Sequence, residues 1–134
     1  MGEKEQFINE LKERIRKSDE LFLLAKKLFE EGYIEDAISR AYYSLYHLLT
    51  TYLLLQGETQ KTHKGLLIRI GFEIKEGKLN KNVGKILRTL FQDREIADYD
   101  IFSFFSKEEV SNILNELEII REEIKENQLN LENF

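Results

Sequence analysis

The sequence predicts an all-α protein built as an antiparallel bundle of four long helices and one short one. Three observations carry this prediction. Apolar residues recur at three- and four-residue steps through most of the chain. Proline is absent from all 134 residues, which suits long uninterrupted helices. Of the seven glycines, Gly32, Gly57 and Gly77 stand where those apolar stripes stop.

The first helix is expected from about Lys4 to Glu31, on the stripe Phe7, Ile8, Leu11, Ile15, Leu21, Phe22, Leu24, Ala25 and Leu28, with Gly32 as its stop. The second is expected from Ile34 to Gln56, ending at Gly57, with Ile34, Ala37, Ile38, Ala41, Leu45, Leu48, Leu49 and Tyr52 as its core stripe. Thr62 can cap a shorter third helix through Leu66, Leu67, Ile70 and Ile74 that closes at Gly77, although Gly71 weakens its middle. Asn80 can cap a fourth, from Lys81 to about Asp100, on Val83, Leu87, Leu90 and Phe91. Ser106 followed by Glu109 is a capping-box pattern opening the last helix, through Val110, Ile113, Leu114, Leu117, Ile120 and Ile124. The polar tail Asn127–Phe134 is expected to fray. The aromatic run Ile101, Phe102, Phe104, Phe105 is expected to plug the end of the bundle, with an exposed dimer contact as the alternative. Short connections between long helices place neighbours antiparallel. No repeat or linker divides the chain, so residues 1–134 are expected to form one domain with its core at about 5–125.

Composition narrows the function. With 42% hydrophobic and 34% charged residues the chain fits neither a disordered nor a membrane protein. Its longest apolar stretch, Leu48 to Leu55, is broken by Thr50 and Thr51 and is too short to span a bilayer. The charged start MGEKEQFINE has no apolar core of a signal peptide, so a cytoplasmic location is expected. The absence of cysteine removes disulfides, thiolate metal sites and cysteine nucleophiles. Two histidines without paired spacing make a zinc site a poor fit, and there is no phosphate-binding glycine loop. No metal or cofactor is therefore expected. A net charge of −5 argues against indiscriminate binding to nucleic acid. The charge is uneven, however: residues 61–94 carry nine basic and three acidic groups, whereas residues 101–134 carry three basic and eight acidic. That asymmetry fits either chance scatter on solvated faces or a basic flank for an anionic ligand.

Polar groups interrupt the apolar pattern at a few places. On a helical wheel Arg40, Ser44, His47 and Thr51 share one side of the second helix, beside the core stripe. Arg40 and His47 lie two turns apart, about 10 Å along the axis. A guanidinium can hold a phosphate there, and an imidazole can move protons near neutral pH. Those are the two groups that phosphodiester cleavage needs. A surface arginine and a hydrogen-bonded interfacial histidine would leave the same pattern. In the fourth helix, the stripe of Leu87 and Phe91 continues onto Arg94 and Asp98, an i, i+4 pair that either orients helix packing or lines a polar pocket. His63 and Lys64 open the third helix, where free backbone N–H groups favour anions, though a capping histidine accounts for the pattern equally. Tyr42, Tyr43 and Tyr46 spread over more than one helix face, so at least one is expected at a surface or a subunit contact.

The run Ala37-Ile38-Ser39-Arg40-Ala41-Tyr42-Tyr43-Ser44-Leu45-Tyr46-His47, then Thr62-His63-Lys64-Gly65, then Leu90 to Asp100 with Arg94, Asp98 and Tyr99, resembles the HEPN domain family. The likeness is to its small stand-alone prokaryotic branch and covers about residues 5–125. The resemblance implies an up-and-down four-helix bundle with an additional short helix, commonly a homodimer. Such proteins are often encoded beside a minimal nucleotidyltransferase as toxin and antitoxin, and many are metal-independent ribonucleases with an Arg-x4–6-His motif. Carried onto this chain, Arg40 and His47 are the candidate catalytic pair. Ser44, His63, Lys64, Arg94, Asp98 and Tyr99 are the candidate supporting or ligand-binding residues. In the nuclease members the motif lies in a later helix, whereas here it lies in the second. A non-catalytic subunit binding a nucleotide or a nucleotidyltransferase partner is therefore the alternative, and a purely structural dimerisation bundle a third.

Overall fold

A computed structural model describes residues 2–101 and 104–131. Five helices follow in order: α1 (Glu3–Glu30), α2 (Ile34–Leu55), α3 (His63–Lys75), α4 (Lys81–Tyr99) and α5 (Lys107–Asn127). The boundaries fall where local chemistry stops each helix. At Gly32 the backbone turns to φ +92°, a region that L side chains rarely adopt. There the N–H of Tyr33 reaches back to the Leu28 carbonyl at 2.8 Å, satisfying a terminal acceptor of α1. The same closure recurs at Gly57 and Gly77 after α2 and α3. Thr62, Asn80 and Ser106 each accept a backbone N–H at the start of α3, α4 and α5, as expected of capping side chains.

α2 is the central element and packs against each of the other four. Its apolar arc, Ile38, Leu45, Leu48, Leu49 and Leu53, meets Phe22 and Ala25 of α1 and Leu66 and Ile70 of α3 in one cluster. Val83, Leu87 and Leu90 of α4 and Leu114, Leu117, Ile120 and Ile124 of α5 complete it. Full burial of each such aliphatic side chain stabilises the fold by about 1.5–3 kcal/mol. Among the described residues no helix is long and apolar enough to cross a membrane.

Two expectations change. Within its described part the tail does not simply fray after Glu126: α5 runs to Asn127, Leu129 is buried in the core cluster, and the Gln128 amide donates to the Lys78 carbonyl at 3.0 Å, while residues 132–134 lie outside the described residues. An apolar side chain within a polar tail found room between helix ends. The proposed aromatic plug is also largely absent. Phe102 lies outside the described residues, and Ile101 and Phe104 are each 89% exposed. Of the run's described residues only Phe105 packs against the core, as Ile34 also does. Asp100 leaves α4 in an extended conformation that carries Ile101 away.

Candidate functional site

The site grows out of how α2 is surrounded. Its neighbours seal most of its circumference and leave one half-buried band, formed by Ser39, Tyr43, Tyr46, His47 and Thr50. His63 of α3 and Arg94 of α4 border this band on one side, and Arg14 and Lys17 of α1 on the other. The two borders differ in charge.

On the α3–α4 side, Arg94 is buried with its guanidinium 5.3, 5.5 and 5.8 Å from the rings of Tyr42, Tyr43 and Phe91. Nη1 donates to Asp98 at 3.2 Å and more weakly to the Tyr43 hydroxyl at 3.4 Å. Nη2 donates to Glu95 at 2.7 Å, and Nε has no partner. Ser39 donates to Asp98 at 3.4 Å. The i, i+4 pair expected from sequence is thus formed, but two carboxylates already compensate one guanidinium. Tyr42, fully sealed, shares a short hydrogen bond with Nδ1 of His63. Burial raises the Tyr42 phenol well above its usual range, so it stays protonated. Burial, reinforced by Arg94 and opposed by Glu95, holds His63 below its usual value. Lys64 and Tyr99 are exposed and share no hydrogen bond or ion pair with this cluster among the described residues.

On the α1 side, the His47 ring stands 5.4 Å from Tyr46 and 6.4 Å from Tyr43. It opens onto a cleft of about 290 Å³ shared with Arg14, Tyr46, Thr50 and Gln60. Burial lowers its pKa, and the positive charges of Arg14 and Lys17 lower it further. The imidazole is therefore neutral at physiological pH and can accept a proton. Arg40 is exposed and makes no ion pair or hydrogen bond among the described residues. Tyr46 joins the two sides, because its ring is also 5.0 Å from His63.

Ser44 does not share this setting, contrary to its expected place in the site. It is fully buried, its hydroxyl donates to the Ala41 carbonyl at 2.8 Å, and its own carbonyl accepts from Ser18 at 2.6 Å. It faces a buried polar network that sequence reasoning missed. There Arg121 donates to Ser18 and to Asp19, and Lys125 bonds Asp19 at 3.0 and 3.2 Å. A second buried network centres on Glu73, which accepts from Tyr52 at 2.6 Å and Gln56 at 3.1 Å, with Arg69 3.0 Å away. Burial pushes the Glu73 carboxyl up, but these three partners outweigh it and hold it below its usual value. Both could have been found: Arg121 and Glu73 interrupt the apolar stripes Leu117–Ile124 and Leu66–Ile70 at helical spacing.

The sequence profile of the family described as "HEPN domain" matches residues 11–128. This chain belongs to the HEPN family. The chain is 38% identical over 120 residues to a UPF0332 protein of Archaeoglobus fulgidus, covering 88% of this chain and 94% of that one. It is 32% identical over 119 residues to a UPF0332 protein of Thermotoga maritima, 88% of each chain. It is also 31% identical over 117 residues to "Putative toxin MJ0605" of Methanocaldococcus jannaschii, 87% of each. The HEPN profile takes in most of α1 and the whole of the other four helices, so the α2 band and both of its borders lie within the matched region.

Proposed function

We propose that this HEPN protein is a toxin-type, metal-independent endoribonuclease acting in the cytoplasm. It would work as the homodimeric toxin subunit of a module whose antitoxin is a minimal nucleotidyltransferase. The observation that carries the ribonuclease reading is the setting of His47: a neutral, half-buried imidazole on a solvent-reached cleft, with cations beside it. In this reading His47 takes the proton of a ribose 2′-hydroxyl, whose oxygen attacks the adjacent phosphorus. The 5′-oxygen leaves with the proton returned by the imidazolium, giving a 2′,3′-cyclic phosphate and a 5′-hydroxyl. Arg40, with no competing carboxylate, stabilises the charge on the phosphorane. The toxin name carried by relatives supports the module reading, and the family resemblance supplies the nucleotidyltransferase partner.

The test is cleavage of RNA by purified protein in the presence of a chelator. Activity that persists without metal and is lost in His47→Ala is the expected result. Cleavage unchanged in His47→Ala would remove His47 from the mechanism. A second reading, a non-catalytic partner-binding subunit, is favoured by the exposed apolar side chains Tyr33, Tyr99, Ile101 and Phe104. Co-purification with the nucleotidyltransferase but no cleavage of any RNA would select it.

A further inference from the structure

We infer that the cleft between α1, α2 and the α2–α3 connection holds one unpaired nucleotide of a single-stranded RNA, with Arg14 as its phosphate ligand. The inference rests on RNA being the ligand, as in the ribonuclease reading, and adds the class of RNA and a residue outside the family motif. Size is the first argument. A cleft of about 290 Å³ lies just below the range of ligand pockets, which run from about 300 to 1,000 Å³. It can take a single nucleotide, and a base can enter it only if it is not paired in a duplex.

The lining supplies the second argument. The Tyr46 ring offers a stacking surface, the Gln60 amide offers hydrogen-bond groups for a base edge, and the Thr50 hydroxyl, which donates to the His47 carbonyl at 3.1 Å, can still accept one. Glu58 also lines the cleft, where Arg69 bonds its carboxylate at 2.8 Å; because Arg69 also pairs with Glu73 at 3.0 Å, this offsets only part of the repulsion Glu58 would exert on a phosphate.

Charge supplies the third. Among the described residues Arg14 is tied only to Glu10 on its own helix at 3.1 Å, in a solvent-exposed pair that a phosphate can displace. Lys17, one turn further along α1, is exposed and adds a second positive charge near His47. Burial is the larger cause of the lowered His47 pKa, but the charges of Arg14 and Lys17 both reach the ring and add to it, and a bound phosphate would meet the same field with the opposite sign. On the other side of Tyr46, Arg94 is already compensated by Asp98 and Glu95. The α1 side is therefore where an RNA phosphate finds positive charge to spare.

The probe is a 2′-O-methylated RNA tetranucleotide, which binds but cannot be cleaved because the attacking oxygen is capped. It is titrated into the full chain while imidazole and amide resonances are followed by NMR, for wild type, Arg14→Gln and Arg14→Lys. We expect shifts at His47, Tyr46 and Gln60, and binding about tenfold weaker in Arg14→Gln and partly restored in Arg14→Lys. The slope of log affinity against log salt should fall by about 0.7, one phosphate contact on a single strand. A duplex of the same sequence should bind more weakly than the single strand. Unchanged affinity or salt slope in Arg14→Gln, equal binding of duplex, or no binding at all would overturn the inference. Because Arg14 is exposed, equal melting temperatures of the variants will show that folding is not the cause. If His47→Ala abolishes cleavage while Arg14→Gln binds normally, this inference fails and the ribonuclease reading stands. If the tetranucleotide binds as described but no RNA is cleaved, the ribonuclease reading fails and this inference stands.

Discussion

Removing either partner of the buried Arg121–Asp19 pair should have very unequal effects. Arg121 is almost fully buried, bonded to Ser18 and Asp19, 3.4 Å from the Ser44 carbonyl, and 5.1 Å from the centre of the Phe22 ring. Burial lowers its pKa, with Asp19 and Glu122 opposing, but an arginine starts so high that it stays charged. Asp19→Ala leaves that charge buried without its carboxylate. Breaking a buried pair in this way costs about 3–5 kcal/mol, and the lower end applies because the Asp19 side chain is 43% exposed. Arg121→Met removes the charge and keeps most of the volume. Ser18 still donates to the Ser44 carbonyl at 2.6 Å, and Asp19 still has Lys125 at 3.0 Å and water. No buried polar group is orphaned, so the cost should stay below about 1.5 kcal/mol. The double variant should recover most of what Asp19→Ala loses. Urea unfolding followed by circular dichroism gives all three differences. The reasoning is refuted if Arg121→Met is as damaging as Asp19→Ala, or if the double variant is the least stable.

Two further predictions concern stability. Gly71 sits in the exposed face of α3 with open space where a Cβ would go, so Gly71→Ala should stabilise the protein by about 0.5–1 kcal/mol; a fall in melting temperature would mean that this glycine serves a close contact. His47 and His63 are both held below their unfolded value of 6.5, so the unfolded chain takes up their protons at higher pH than the folded one does. Their contribution is complete above that value and is lost as pH falls through the lowered folded values. Wild type should therefore lose more stability between about pH 6.5 and 5 than a His47→Gln/His63→Gln variant; parallel curves for the two would show that the histidines titrate as they do in the unfolded chain.

The helices were legible because their signals are local. The glycine stops and the capping side chains Thr62, Asn80 and Ser106 act within a few residues of where they sit, and the observed ends follow them closely. The Arg94–Asp98 pair was legible for the same reason, since both lie on one helix a turn apart. Depth was not. A helical wheel puts Arg40, Ser44, His47 and Thr51 at one angle, yet Ser44 and Thr51 are sealed, His47 is half-buried and Arg40 is exposed. Angle is a property of α2 alone, whereas depth depends on which neighbour covers each turn. Contacts between helices were equally hidden: nothing in the sequence ties Tyr42 to His63 or Arg14 to His47, because tertiary packing creates those neighbours.

The two polar intrusions on α2's surroundings therefore have different capacities. For Arg94 to hold a phosphate, the ligand must displace Asp98 or Glu95 and enter a guanidinium environment already enclosed by three rings. Both carboxylates would also repel it. What that cluster does well is fix geometry, since it holds Tyr42 and Tyr43 in place and, through Tyr42, His63. Tyr43 and Tyr46 in turn form the wall against which the His47 ring stands. Substitutions at Arg94 should thus act on His47 through ring placement, lowering turnover more than RNA affinity. Substitutions at Arg14 should do the reverse if that side chain binds the phosphate, because among the described residues its ion pair is with Glu10 and not with a group of the Arg94 cluster that holds the rings.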